Sequence, residues 1–367
     1  MTALPHPKPI LAITMGDPAG IGPEIVVQAL QLPKVWQVCQ PLIIGSRSVL
    51  EQTIRSLTSS LVVATVEGHG ESPAKQAFRR GRLPLFDPFS KPVRSIRPGR
   101  VSATAGEMAV TCIQSAVRLA QAGCVSGMIT SPINKEAMHL AGHVYPGHTE
   151  MLADLTKAKE SGMMIMGGPL KIVFTTTHLP LRDVAKTLTI PKILKAIRLA
   201  HFGLKQLFGV RKPRIAVAGF NPHAGEHGLF GDEETRLILP AIKRAKAQGI
   251  SCSGPHPADT MFAKALAGAF DGIVALYHDQ GLIPLKTVAF GHCVNITVGL
   301  PILRTSVDHG TAFDIAGKGK ADPTSLVDAI EMAAQLAPNF SPRSCIPSGK
   351  KSIIHHRNKH LNRDSIV

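Results

Sequence analysis

The chain alternates short apolar runs with stretches whose apolar positions recur at helical spacing. "PILAITMG" and "QPLIIGS" read as buried strands, with "PEIVVQALQL" as a helix between them. "TAGEMAVTCIQSAVRLAQAG" predicts a longer amphipathic helix, with Thr104 as a candidate N-cap and Gly123 at its end. "CVSGMIT" then reads as a strand leading into "SPINKEAMHLAG". Three more strand-like runs follow, "LKIVFTTTH", "PRIAVAGFNPH" and "GIVALYH". Helical segments such as "PKILKAIRLAHFGLKQLFG" and "ETRLILPAIKRAKAQG" lie between them. Strands that are apolar throughout, alternating with helices, predict an α/β fold with a largely parallel sheet covered on both faces.

Composition narrows this picture. A chain of 367 residues, 44% hydrophobic, can bury a sizeable core in one large domain or two ordinary ones. No apolar run approaches the roughly 18 residues that cross a bilayer. The N-terminus lacks a basic region followed by a long apolar segment, so no secretory signal is expected. The six cysteines are scattered without a C-x-x-C pair, which fits free thiols in a reducing cytoplasm.

The formal charge of +16 raises nucleic-acid binding, but its distribution disfavours that role. The last 29 residues contribute +5 through six basic residues and one acid, leaving +11 spread over the body. Aromatics are 4%, few for a base-stacking surface. A basic body equally suits an enzyme of phosphorylated or carboxylated substrates. Residues 339–367 show no sustained periodicity and read as a basic, disordered extension; a metal- or RNA-binding arm at "HHRNKH" is the sharper alternative.

Three strand-like runs end in histidine: His178, His223 and His278. Ligands of open parallel sheets bind beyond the carboxyl ends of the strands, so three imidazoles at that edge can supply a divalent-cation site. Asp279 or Asp183 is placed to orient a ring. The ordinary alternative is that each histidine caps a nearby carbonyl. "MGDPAGIGPEI" is either a turn that lets backbone approach an anion, with Glu24 near a helix start, or a tight structural turn. It is not G-x-G-x-x-G, and the chain has no P-loop and no G-x-S-x-G. "GHTE" offers an imidazole and a hydroxyl together. A denser stretch brings Lys286, Asn295, Arg304, Asp308 and His309 within 24 positions, and its cations suit a phosphate.

At these residues the chain resembles the 4-hydroxythreonine-4-phosphate dehydrogenase family of pyridoxal phosphate biosynthesis. The resemblance runs through "ITMGDPAGIGPEI", "TSPINKEAM", "GHTEMLA", "TTTHLPLRD", "NPHAGEHG", "GPHPADTMF", "LYHDQGLIPLK", "VNITVGLP" and "RTSVDHGTAFDIAGKGKADP". The last of these is also similar to the cofactor loop of isopropylmalate and isocitrate dehydrogenases. The resemblance implies two α/β/α subdomains, residues 1–132 with 301–338 and residues 133–300, the second carrying the dimer interface, with the active site in the cleft between them.

It further implies that His178, His223 and His278 hold one divalent cation (zinc, cobalt, magnesium or manganese) in a site shared between the chains of a homodimer. Substrate contacts fall to His148, Thr149, Lys286, Asn295 and Arg304. Asp259 and Asp279 are the proton-transfer candidates, with a metal-bound water as a third option. His309, Gly310, Thr311 and Asp314 line the NAD or NADP side. The implied reaction oxidises 4-hydroxythreonine 4-phosphate to a 3-keto acid that decarboxylates. Threonate or erythronate 4-phosphate and aromatic cis-dihydrodiols are the alternative substrates.

Overall fold

The apolar runs fold into strands with both faces covered. In β1 (Ile10–Thr14), Leu11, Ala12 and Ile13 are almost wholly buried. The structure, a computed structural model, describes residues 7–66, 77–89 and 96–340. Eleven more strands follow among these residues. They are β2 (Gln40–Ile44), β3 (Val62–Thr65), β4 (Arg82–Phe86), β5 (Gly127–Thr130), β6 (Gly162–Gly167), β7 (Leu170–Phe174), β8 (Ile215–Ala218), β9 (Cys252–His256), β10 (Gly272–Ala275), β11 (Val294–Val298) and β12 (Arg304–Ser306).

All twelve form one sheet in the order β3-β4-β2-β1-β5-β12-β11-β6-β7-β10-β8-β9. The pairs from β3 to β12 are parallel, and so are those from β7 to β9. Between these blocks, β12–β11, β11–β6 and β6–β7 are antiparallel. The two parallel blocks therefore run in opposite senses. Strands from residues 10–130 and 304–306 make one half of the sheet, and strands from 162–298 make the other.

The expected helices form at Gly22–Gln31, Ala103–Gln121 and Ile190–Gln206. The N-cap of the second is Ser102, not Thr104: Ala105 N–H donates to Ser102 Oγ at 3.2 Å, and Thr104 already lies inside the first turn. "ETRLILPAIKRAKAQG" is not one helix. It opens as a π-helical turn, Glu234–Ile238, and continues as an α-helix over Leu239–Ala247. Pro240 has no N–H to give to the preceding turn, which explains the change of winding. No helix among the described residues is long and apolar enough to cross a membrane. From residue 341 on, the basic extension lies outside the described residues; Asn339 donates to the Leu207 carbonyl at 3.0 Å and Phe340 packs on the core.

Candidate active site

The central antiparallel strands form the floor of a cavity of about 980 Å³. Arg304 of β12, Asn295 of β11 and Ile165 of β6 face it. Ser131 and Lys135 enter from the segment after β5, and His148 and Thr149 from the start of the helix His148–Thr156. Thr177 and His178 follow β7, and His278 opens the helix His278–Ala289 after β10. The rim is completed by His309 and Gly310.

Arg304 dominates the electrostatics. It is 2% exposed and has no carboxylate partner among the described residues. Its Nε and Nη2 donate to Thr130 Oγ1 at 3.2 and 2.7 Å, and Nη1 donates to Thr297 Oγ1 at 2.8 Å. Burial lowers its pKa to about 9. Buried, unpartnered polar atoms gather around this cation: Asn295 Oδ1, His148 Nε2, Ser131 Oγ and Thr175 Oγ1. Burial, then the charges of Arg304 and Lys135, hold the His148 imidazole well below its ordinary value, so it is neutral at pH 7. Orphaned donors and acceptors around a buried, unpaired guanidinium are what an absent anionic ligand leaves behind.

Lys286 is different. Its Nζ pairs with Asp308 at 2.9 Å, and it is Asp308 rather than Lys286 that lines the cavity. Lys135, Thr130, Thr297 and Ser131 were not singled out from sequence. Thr130 and Ser131 follow directly on an apolar strand, and an apolar run broken by hydroxyls at its carboxyl end was the available signal.

The three histidines follow β7, β8 and β10, neighbours in the order β7-β10-β8, but the structure brings only two together. The His178 and His278 rings lie 5.9 Å apart between centroids. His278 Nδ1 is 2.6 Å from Asp279 Oδ1, an arrangement that turns the other ring nitrogen outward. Burial lowers the His178 pKa, with Lys135 and His278 acting in the same direction and Glu150 opposing. His223 sits against the Phe230 ring at 6.2 Å and lines neither this cavity nor the adjoining one.

Among the described residues no group of three or more His, Cys, Asp or Glu side chains gathers as a metal site. The donor chemistry of His178 and His278, with Asp279 behind, fits two positions of a cation, and among the described residues no third ligand side chain gathers with them. Asp259 lies outside the cavity, at the start of the helix Ala258–Leu266, where its Oδ1 accepts from Thr260 N–H at 3.0 Å.

The glycine-rich turn after β1 binds protein rather than an anion. Ile21 N–H donates to Thr311 O at 3.0 Å, and a Cβ on Gly20 would stand 2.9 Å from the Thr311 carbonyl oxygen, so only glycine allows this approach. Buried Glu24 accepts N–H bonds from Gly317 and from Gly319, the latter at 3.0 Å. The segment 311–319 is thereby fixed to the first helix, with His309 and Gly310 facing the cavity and Asp314 exposed.

Residues 37–333 match the family described as pyridoxal phosphate biosynthetic protein PdxA. The chain is 47% identical to a 4-hydroxythreonine-4-phosphate dehydrogenase of Desulfosudis oleivorans over 90% of this chain and 97% of that protein. It is 46% identical to a D-threonate 4-phosphate dehydrogenase of Pectobacterium atrosepticum, over 89% of this chain and 99% of the other. A crystal structure of 4-hydroxythreonine-4-phosphate dehydrogenase from Klebsiella pneumoniae superimposes with a TM-score of 0.83 at 43% identity, covering 90% of this chain and all of that one.

Proposed function

Because the chain belongs to the PdxA family of pyridoxal phosphate biosynthetic proteins, we propose that its cavity oxidises 4-hydroxy-L-threonine 4-phosphate. The protein is a dehydrogenase, and a dehydrogenase implies a nicotinamide cofactor. Oxidation of the hydroxyl β to the carboxylate gives a 3-keto acid, which loses carbon dioxide to leave 3-amino-2-oxopropyl phosphate. The observation that carries a phosphorylated substrate is buried Arg304, a cation with no carboxylate partner among orphaned polar atoms. An uncharged aromatic dihydrodiol would leave that charge uncompensated.

Arg304, with His148, Thr149, Ser131 and Asn295 around it, grips the phosphate; Lys135, which lines the same cavity and lies within electrostatic range of both His148 and His178, adds charge toward the middle of the substrate. Binding at this remote end orients the reacting carbon toward His178 and His278. Lys286 acts through Asp308, whose carboxylate it holds at the cavity edge. Asp279 fixes the His278 ring.

A divalent cation on these imidazoles supplies a lowered pKa for the substrate hydroxyl, and NAD or NADP supplies the hydride acceptor. Histidine nitrogens suit zinc or cobalt, with manganese and magnesium as the harder alternatives. The segment His309–Asp314 borders the cofactor side.

His223 completes the cation site of a second copy, which makes the working unit a homodimer. Apolar surface beside the histidine pair supports this: Leu181 and Ile283 are 69% and 64% exposed and line a second cavity shared with His178 and His278. The two halves of the sheet are the two subdomains, and the cavity is the cleft between them.

The second reading is oxidation of D-threonate 4-phosphate, favoured by the nearly equal identity to relatives of either name. Purified protein, assayed for NADH or NADPH formation on both phosphates and on dephosphorylated 4-hydroxythreonine, tests both readings. Turnover of the dephosphorylated compound at the same kcat/KM would refute a phosphate-gripping site. Full activity after exhaustive chelation would refute the cation.

A further inference from the structure

Arg304 has five N–H groups, and the structure accounts for three. Thr130 Oγ1 accepts two of them, from Nε and Nη2, and Thr297 Oγ1 accepts one from Nη1. One N–H is left on each terminal nitrogen, enough to donate to two oxygens of a phosphate. The acceptors flank β12 on both sides: Thr130 ends β5, and Thr297 belongs to β11.

All three side chains are buried, at 2%, 0% and 3% exposure, so the contacts between the guanidinium and the two hydroxyls are screened from bulk water. A free arginine side chain samples many rotamers, and an unanchored one would lose part of its binding free energy to ordering. The strand register itself holds Thr130 steady, since Thr130 pairs with Thr14 of β1 on one side and with Ser306 of β12 on the other.

We propose that Thr130 is a positioning residue for substrate phosphate: its hydroxyl oxygen holds the side edge of the Arg304 guanidinium, so that the two remaining N–H groups are aimed into the cavity as a bidentate oxyanion clamp. This rests on the phosphorylated-substrate reading above. Threonine serves here because one oxygen accepts two N–H bonds while its methyl group keeps the strand end packed. Valine preserves the shape and removes the acceptor; serine preserves the acceptor and removes the methyl.

The test compares the parent protein with Thr130→Val, Thr130→Ser, Arg304→Met and the double variant Thr130→Val/Arg304→Met. Two readouts are used: inorganic phosphate affinity by calorimetry, and steady-state kinetics on 4-hydroxythreonine 4-phosphate. Thr130→Val is expected to weaken phosphate roughly tenfold and to raise the substrate KM by a similar factor, with the KM for the nicotinamide cofactor unchanged. Thr130→Ser is expected to stay within about threefold of the parent. In the Arg304→Met background, adding Thr130→Val is expected to change phosphate affinity no further.

The inference is overturned if folded Thr130→Val binds phosphate like the parent, if Thr130→Ser is as impaired as Thr130→Val, or if the Thr130→Val effect persists without Arg304. If Arg304→Met alone leaves phosphate affinity and substrate KM unchanged, the phosphate site itself fails and the positioning role falls with it. A loss of affinity in Arg304→Met without one in Thr130→Val removes only the positioning role.

Discussion

Replacing Arg304 by methionine is expected to stabilise the ligand-free protein while disabling it. Burial lowers the guanidinium far below its ordinary value, to about 9. At about 1.4 kcal/mol per pKa unit, holding the charge in the fold costs on the order of 5 kcal/mol. Methionine removes that cost but orphans the hydroxyls of Thr130 and Thr297, at about 1 kcal/mol each. After imperfect packing, a net gain of about 1–3 kcal/mol remains, in the range found when buried charges are replaced by apolar side chains.

With an unfolding entropy of about 2 cal/mol/K per residue, that gain corresponds to a Tm rise of roughly 1–4 °C in a protein of this size. Because the folded pKa lies below the unfolded one, the cost is fully present below about pH 9 and is relieved only as the pH rises beyond it. The stability difference should therefore be constant between pH 6 and pH 8. The assay is scanning calorimetry with and without phosphate at matched ionic strength. Phosphate should raise the Tm of the parent and leave the variant unmoved, and the variant's kcat/KM should fall by about 100-fold or more. A variant that melts several degrees lower and still gains stability from phosphate would refute the reasoning.

Asp17 is fully buried, with one oxygen unpartnered, and burial raises its pKa to about 6 against the N–H bonds of Ala19 and Asn134. Its favourable contribution is complete below about pH 4 and is lost as the pH rises through 6, so Asp17→Asn should gain up to about 3 kcal/mol relative to the parent at pH 7.5 compared with pH 4, read from denaturant unfolding at both values. Glu24→Gln keeps one acceptor for Gly317 or Gly319 and loses the other. We expect the affinity for the reduced nicotinamide cofactor, followed by fluorescence, to fall about 5- to 30-fold with substrate KM within twofold. Glu234→Ala removes the carboxylate that accepts the N–H groups of Phe220 and Asn221, both at 2.7 Å. Loss of NADH or NADPH formation with phosphate binding intact is expected, and unaltered turnover would count against a role for the turn that carries His223.

The strands and helices with clean periodicity were legible: β1, β2, β5, β7, β8 and β10 coincide with the apolar runs, and the helices Gly22–Gln31, Ala103–Gln121 and Ile190–Gln206 with the amphipathic ones. Other strands gave no such signal. β12 has three residues, β9 contains Gly254 and Pro255, and β6 reads "GMMIMG", where glycine and unbranched methionine carry little strand preference. These antiparallel or edge strands fix the sheet's shape, so its reversal of direction was not readable. Arg304 was visible as a candidate, but its burial and lack of a carboxylate partner depend on Thr130, 174 positions away. Sequence spacing carries no record of that contact. The charge of Lys286 was equally plain, while its pairing with Asp308 was not.

The reversal explains how one cavity collects residues from both halves of the sheet. Segments after β5 and after β7 leave strands that point in opposite senses, yet both line it. The three antiparallel pairings between the blocks put β12, β11 and β6 under the cavity, between the segments that follow β5 and β7. Histidines that follow β7 and β10 share an edge and meet. His223 follows β8 on the same edge, but residues 223–227 adopt left-handed backbone, with φ between 41° and 81°. Four of these five residues are not glycine, and each costs about 1–2 kcal/mol in that conformation. Glu234, 4% exposed, holds the turn through Phe220, Asn221 and the Asn221 amide. Strain of this size, stabilised by a buried carboxylate, does nothing for the chain's own cavity, which His223 does not line. It does present an exposed imidazole, which is what the proposed cation site, completed by a second copy, would require.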